Sequence, residues 1–180
     1  MNFPIDNTKA TEAVARLLER GGGKADYLRI VKLIYLADRD SIIRRGVPIV
    51  GGSYFSMRCG PTVGEVMKFA NLERHNAEWE KHISPRQGNT LVLKEAPEYN
   101  HLSQSELDIL DGVVEEHAAR STWGLVKWCH VYCREYERVW LGRKDIHVES
   151  ILRAGGKTAD RIHRVVCEAA DRADLVALLA

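Results

Sequence analysis

The sequence predicts a mainly α-helical, compact domain with one or two small β-hairpins. Several stretches place apolar residues at the three-to-four-residue spacing of a helix. Between them, short segments rich in β-branched and aromatic residues are bounded by glycine or proline, which is typical of short strands. At 180 residues, 45% hydrophobic and 28% charged, the chain has the composition of a globular protein with a substantial core.

The first helix is predicted from Thr8 to Arg20, with Asn7 or Thr8 as its N-cap. One apolar stripe supports it: Ala10, Ala13, Val14, Leu17 and Leu18. Three glycines at 21–23 then end the helix and predict a flexible hinge. Residues 1–23 are therefore predicted to form an N-terminal helical arm.

The second helix is predicted from Asp26 to the residue before Gly46. Its apolar residues cover almost every direction around the axis, which predicts a central, buried helix. Arg44 and Arg45 in the last turn suit the negative end of the helix dipole. Gly46 is expected to adopt the left-handed conformation that often follows a helix.

Two extended regions are predicted between the helices. Residues 48–60 favour a small hairpin or an irregular arm. The Gly-Pro-Thr sequence at 60–62 is predicted to open a third helix, because proline is tolerated at the first helical position. A second hairpin is predicted from strands at 79–83 and 90–94, with its turn at 86–89.

The C-terminal half predicts three more helices. Ser103 and Glu106 have the spacing of a capping box, which predicts a helix start. A further helix is expected over 121–132, with one apolar side: Leu125, Trp128, Cys129 and Tyr132. Residues 157–180 predict the last helix, and residues 142–180 are expected to be a helical extension packed on the domain.

The charge is balanced overall, with 26 basic and 25 acidic residues, so no uniform field favours nucleic acid or anionic lipid. Residues 61–120 are acidic, which predicts either a basic partner protein or pairing within the chain. No apolar run approaches the roughly 20 residues that span a bilayer. The four cysteines lack CxxC spacing, so we expect reduced thiols, a cytoplasmic location and no membrane partner.

Several residue groups recur in the order of one known family. They are Lys32–Asp38, Gly46–Ile49, Tyr54, Met57, Arg58, Gly60-Pro61, Leu102-Ser103, Glu106, Leu110-Asp111, Val113-Val114, Ser121, Trp123 and Leu125. The stretch that contains them, roughly residues 24–141, resembles the SocA-like (Panacea) antitoxin domain. The resemblance implies a non-enzymatic protein, without cofactor, that binds a cognate toxin protein and holds it inactive. In some members the complex passes to a protease, so a cellular protease is a second expected partner.

Candidate partner-binding residues lie on the glycine-flanked arm and at the end of the second helix. They are Tyr54, Phe55, Met57 and Arg58 on the arm, and Arg39, Arg44 and Arg45 beside it. Aromatic and arginine side chains dominate binding energy at interfaces, which average about 800 Å² per partner. The competing interpretation is that one aromatic ring packs on the core and the arginines only cap the helix.

Two chemical alternatives are weighed against binding. Cys129 and Cys133, with His163 and Cys167, have the donor types of a Cys₃His zinc site, although buried cysteines more often pack in a core. Cys129 and His130 would make a nucleophile pair, but neighbours on a helix point about 100° apart. We therefore expect no metal site and no Cys/His enzyme.

A DNA-binding regulator of its own operon is the other alternative. The first helix stands alone before the glycines, which is too little for a helix-turn-helix. The basic residues of the last helix are offset by acidic ones, so nucleic-acid binding is disfavoured. The apolar end at 175–180 is interpreted as a docked helix end or, alternatively, a protease recognition tail. Nothing in the sequence indicates the oligomeric state.

Overall fold

The protein consists of helices arranged around one central helix, with two small antiparallel sheets, as the sequence predicts. A computed structural model describes the backbone of residues 3–179 and the side chains of residues 3–171. The helices are α1 (Asn7–Arg20), α2 (Tyr27–Arg45), α3 (Gly64–Ala70), α4 (Ala77–His82), α5 (Gln104–Glu116), α6 (Thr122–Tyr132), α7 (Val148–Ala154) and α8 (Ala159–Leu179). The strands are β1 (Lys24–Asp26), β2 (Tyr54–Met57), β3 (Gly60–Val63), β4 (Thr90–Val92) and β5 (Lys144–Ile146).

Helix α2 is the centre of the fold and contacts α1, α5, α6 and α7. Its burial on all sides confirms the prediction from its apolar pattern. Asp26 caps its start by accepting the Leu28 N–H at 2.8 Å. Gly46 ends it in the left-handed conformation, with φ of 81°, as predicted.

Helix α1 begins one residue earlier than predicted, and the predicted N-cap is wrong. Asp6 is the cap, because its carboxylate accepts the Lys9 N–H at 2.9 Å. The apolar stripe of α1 lies in the same core as α2 and α5. The division of the chain at residues 23 and 141 remains a prediction.

Strand β3 replaces the predicted start of the third helix at 60–62. Residues 60–63 pair antiparallel with β2, and α3 begins only at Gly64. Pro61 lies opposite Ser56, and its missing N–H is tolerated because β3 is an edge strand. On its other side β2 pairs with β5, which was not predicted.

The second predicted hairpin is half wrong. Residues 77–82 form α4, because Asn76 caps the helix by accepting the Trp79 N–H at 3.2 Å and Trp79 packs into the core. The turn exists, with reciprocal backbone hydrogen bonds of 3.0 Å between Gln87 and Thr90. Strand β4 then pairs with β1, and the expected pairing with the preceding segment is reduced to an isolated antiparallel bridge between Ile83 and Leu93.

The capping box at the start of α5 is confirmed: the Ser103 N–H donates to the Glu106 carboxylate at 2.8 Å. The acidic residues of α5 also pair with basic residues of α1, with Arg16 to Asp111 at 2.6 Å as the shortest contact. Two further pairs are Lys9–Glu106 and Arg20–Glu115. Pairing within the chain therefore accounts for part of the acidic middle region.

The C-terminal region contains one helix that was not predicted, α7, before α8. Helix α7 packs on α2, and α8 packs on α7. The predicted roles of the apolar end at 175–180 lie outside the described side chains. Within the backbone that is described, no helix has the length and apolarity needed to cross a membrane.

Candidate partner-binding surface

A buried carboxylate holds the predicted arm in place. Asp38, on α2, is fully buried and accepts the backbone N–H groups of residues 49–51 at 2.9 to 3.1 Å. It also accepts the Tyr54 hydroxyl at 2.8 Å. Burial raises the pKa of Asp38 to about 6 although these four donors favour the carboxylate. The arm is therefore attached to the central helix.

The four predicted residues of the arm have different environments. Tyr54 is fully buried, and Phe55 is nearly so, with the guanidinium of Arg143 lying 4.2 Å from its ring centroid. Met57 is half-buried, and Arg58 is exposed in the turn between β2 and β3. Direct contact with a partner remains a prediction for all four, and the exposure of Arg58 makes it the most accessible.

The three predicted arginines occupy the last two turns of α2 but face different partners. Arg39 donates to the buried carboxylate of Glu135 at 2.7 Å. Arg44 pairs with Asp40 at 2.7 Å, and Arg45 lies 3.6 Å from Glu106. Arg39 and Arg44 line a groove of about 210 Å³ between α2 and α5. Their role in partner binding stays a prediction.

Lys32 is a charged side chain in the core. It is 1% exposed, and its Nζ donates to the Pro61 carbonyl at 2.5 Å. Burial lowers the pKa of Lys32 to about 8, and the nearby side chains of Cys129, Cys59 and Cys133 act in the opposite direction. Lys32 thus links the central helix α2 to strand β3.

The cysteine and histidine candidates do not form one site. Cys129 is buried beside Lys32, whereas His130 stacks on Tyr136 with a centroid distance of 4.7 Å. His163 and Cys167 lie on α8, 3.6 Å apart and exposed to solvent. Among the described residues, no group of three or more His, Cys, Asp or Glu is arranged to hold a metal ion.

The outer face of α6 carries exposed apolar side chains. Trp123, Lys127 and Val131 follow one another at four-residue spacing and all are exposed. Tyr132 was predicted on the core side, but it is 59% exposed and stacks on Trp128 at 4.9 Å. The buried side of α6 consists of Leu125, Val126 and Cys129. This helix therefore presents Trp123 and Val131, with Lys127 between them, on a face that the described chain leaves exposed.

The segment after α6, residues 134–143, is attached at its beginning and projects at its end. Glu135 accepts the Tyr35 hydroxyl at 2.6 Å, and the Tyr136 hydroxyl donates to the Met57 carbonyl at 3.0 Å. Beyond this anchor, Trp140 is 74% exposed and Leu141 is 95% exposed. Two large apolar side chains are therefore displayed on a supported segment.

Sequence reasoning missed this face and this segment. The available signal was the four-residue repeat of Trp123, Lys127 and Val131, on the side of the helix opposite Leu125 and Cys129. For Trp140 no local signal existed, because its exposure depends on how Glu135 and Tyr136 attach the preceding residues.

The molecule is thus a small helical domain with a supported aromatic surface. A family model described as "Antitoxin SocA-like, Panacea domain" matches residues 30–134, which is more than half of the chain. The chain belongs to this SocA-like antitoxin family. Searches of curated proteins and of solved structures found no match. The matched range ends where the segment with Trp140 and Leu141 begins.

Proposed function

We propose that this protein is an antitoxin that neutralises a cognate protein toxin by direct, stoichiometric binding and without catalysis. The observation that carries the proposal is the family match over residues 30–134, which contains most of the central helix, the arm and α6. Family membership implies a toxin as partner. The simplest way for a helical domain to inactivate that toxin is to bind to it and block its active surface.

Two features of the structure support binding over chemistry. The Cys129 thiol is buried in the core, so it offers no accessible nucleophile. Exposed Trp and Tyr side chains, in contrast, are the residue types that dominate protein–protein binding energy. Neutralisation by occlusion requires a surface of about 800 Å² per partner. It also requires a dissociation constant below the cellular concentration of the two proteins.

The test is co-expression with the toxin encoded beside this chain. Growth should be restored, and the two proteins should co-purify as a complex of fixed stoichiometry, measured by size-exclusion chromatography with light scattering. Rescue without a complex, or rescue by far less antitoxin than toxin, would contradict direct stoichiometric binding.

Delivery of the complex to a cellular protease is a separate part of the proposal. It predicts that the toxin disappears faster when this protein is present than when the protein is absent. Pulse-chase measurement of the toxin's half-life decides this part. An unchanged half-life would refute delivery to a protease and would leave the proposal of neutralisation by binding intact.

A further inference from the structure

Exposed apolar side chains are concentrated in one part of the described chain. Five of the six large hydrophobic residues that are exposed fall within residues 123–141. They are Trp123, Val131, Tyr132, Trp140 and Leu141. Single exposed hydrophobic residues are ordinary, but five on one helix and the segment that follows it are typical of an interaction surface.

The same region is basic. Within residues 123–145 the exposed charged residues are Lys127, Arg134, Arg138, Arg143 and Lys144 against Glu137 and Asp145, and Lys144 pairs with Glu137. Arg58, next to the Met57 carbonyl that Tyr136 contacts, adds a sixth exposed basic residue. The whole chain, in contrast, has nearly equal numbers of basic and acidic residues. Three acidic residues of α5, namely Glu106, Asp111 and Glu115, pair with basic residues of α1. A partner surface that complements this region must carry carboxylates.

Two arginines are held on aromatic rings. The guanidinium of Arg138 lies 5.0 Å from the Trp140 ring centroid, and that of Arg143 lies 4.2 Å from the Phe55 ring centroid. A guanidinium on a ring keeps its outer N–H groups free for bidentate contact with a carboxylate. Because the segment is anchored through Glu135 and Tyr136, less conformational entropy is lost on binding.

We propose that the five exposed hydrophobic residues and the six basic residues, together called the aromatic–basic surface, bind an acidic region of the toxin in which carboxylates flank an apolar patch. This inference rests on the proposed function, since it assigns the surface to the same toxin. A protein partner fits better than single-stranded RNA, because Val131 and Leu141 offer a nucleobase no ring to stack on.

The test uses the purified full-length chain and the toxin encoded beside it. One variant combines Trp140→Ala with Leu141→Ala, and a second is Arg138→Glu. Matched controls outside the surface are Leu72→Ala, an exposed apolar residue, and Lys81→Glu, an exposed basic residue. Because all these side chains are exposed, the variants should keep the wild-type circular dichroism spectrum and thermal midpoint.

The expected results separate the apolar and charged contributions. The double variant should weaken toxin binding about 100-fold, as the loss of an interface hot spot does. Arg138→Glu should weaken it about 10-fold, mainly through slower association at low salt. Both controls should stay within about twofold of the wild type, and added salt should weaken wild-type binding more than binding by Arg138→Glu.

The failures of the two proposals are distinguishable. If wild type binds the toxin but both surface variants bind equally well, the surface assignment is wrong and the antitoxin function stands. If wild type binds no linked toxin, both are wrong. The assignment is also overturned if the double variant loses binding to a single-stranded oligouridine instead of to the toxin, or if it converts a wild-type dimer to monomers in sedimentation experiments.

Discussion

Replacement of the buried Lys32 by methionine should make the protein more stable at neutral pH. Methionine has a similar length and fills the same space without a charge. Lowering the pKa of Lys32 from 10.5 to about 8 corresponds to a cost of about 3 kcal/mol for holding the charged form in the core. Loss of the hydrogen bond to Pro61 offsets about 1 to 2 kcal/mol of that gain.

The pH dependence gives the sharper test. Between pH 8 and 10.5 the unfolded chain binds more protons at this site than the folded chain, so the stability of the wild type rises with pH in that window. Lys32→Met has no such group. Its stability relative to wild type should therefore fall by about 2 kcal/mol between pH 7 and pH 10, starting from a net gain of about 1 to 2 kcal/mol.

Urea unfolding of both proteins at pH 7 and pH 10, followed by circular dichroism, measures this difference. Lys24→Met is the control: Lys24 is exposed in β1, and its replacement should change stability by less than about 0.5 kcal/mol at both pH values. If Lys32→Met is destabilised equally at both pH values, the Pro61 contact dominates and the reasoning about the buried charge is refuted.

Three further predictions concern stability and local structure. Asp38→Ala should destabilise the protein by about 3 to 5 kcal/mol in thermal unfolding, because three backbone N–H groups and the Tyr54 hydroxyl lose their acceptor. The control Asp40→Ala, at a half-exposed carboxylate of the same helix that pairs with Arg44, should lose less than about 1 kcal/mol. Leu72→Gly should stabilise by about 1 kcal/mol in urea unfolding, because Leu72 has φ of 60° and a side chain that is 59% exposed; a loss would show that its packing outweighs the backbone strain. Glu135→Ala should destabilise by about 3 kcal/mol, since it leaves Arg39 and Tyr35 without their acceptor. Faster hydrogen exchange at residues 136–141 should accompany it, and unchanged exchange would contradict the anchoring role of Glu135.

Features determined by neighbouring residues were predictable from the sequence. The capping box needs only Ser103 and Glu106, and the left-handed Gly46 needs only its own lack of a side chain. The burial of α2 followed from its apolar composition on all sides. The family was recognisable because its residues recur in order along the chain.

Features that depend on pairing with distant segments were not predictable. Residues 79–82 became helix because Asn76 caps them and because β4 pairs with β1, which leaves an isolated bridge between Ile83 and Leu93 from the expected hairpin. Secondary structure at such positions is decided by the partner that the fold supplies, and local propensity is too weak to oppose it. Residues 60–62, in contrast, became strand by pairing with the adjacent β2, so this error came from interpreting Gly-Pro-Thr as a helix start and not from a distant contact.

The candidate surface shows the same division. The sequence by itself determined that the chain has aromatic and arginine side chains that can bind a partner. It also determined that the chain belongs to a family of partner-binding proteins. Only the tertiary structure decided which of them reach solvent: Tyr54 and Phe55 are covered by the core and by Arg143, whereas Trp140 and Leu141 are exposed. The physical reason is that the exposure of a side chain is set by the elements packed around it, and those elements come from distant parts of the chain.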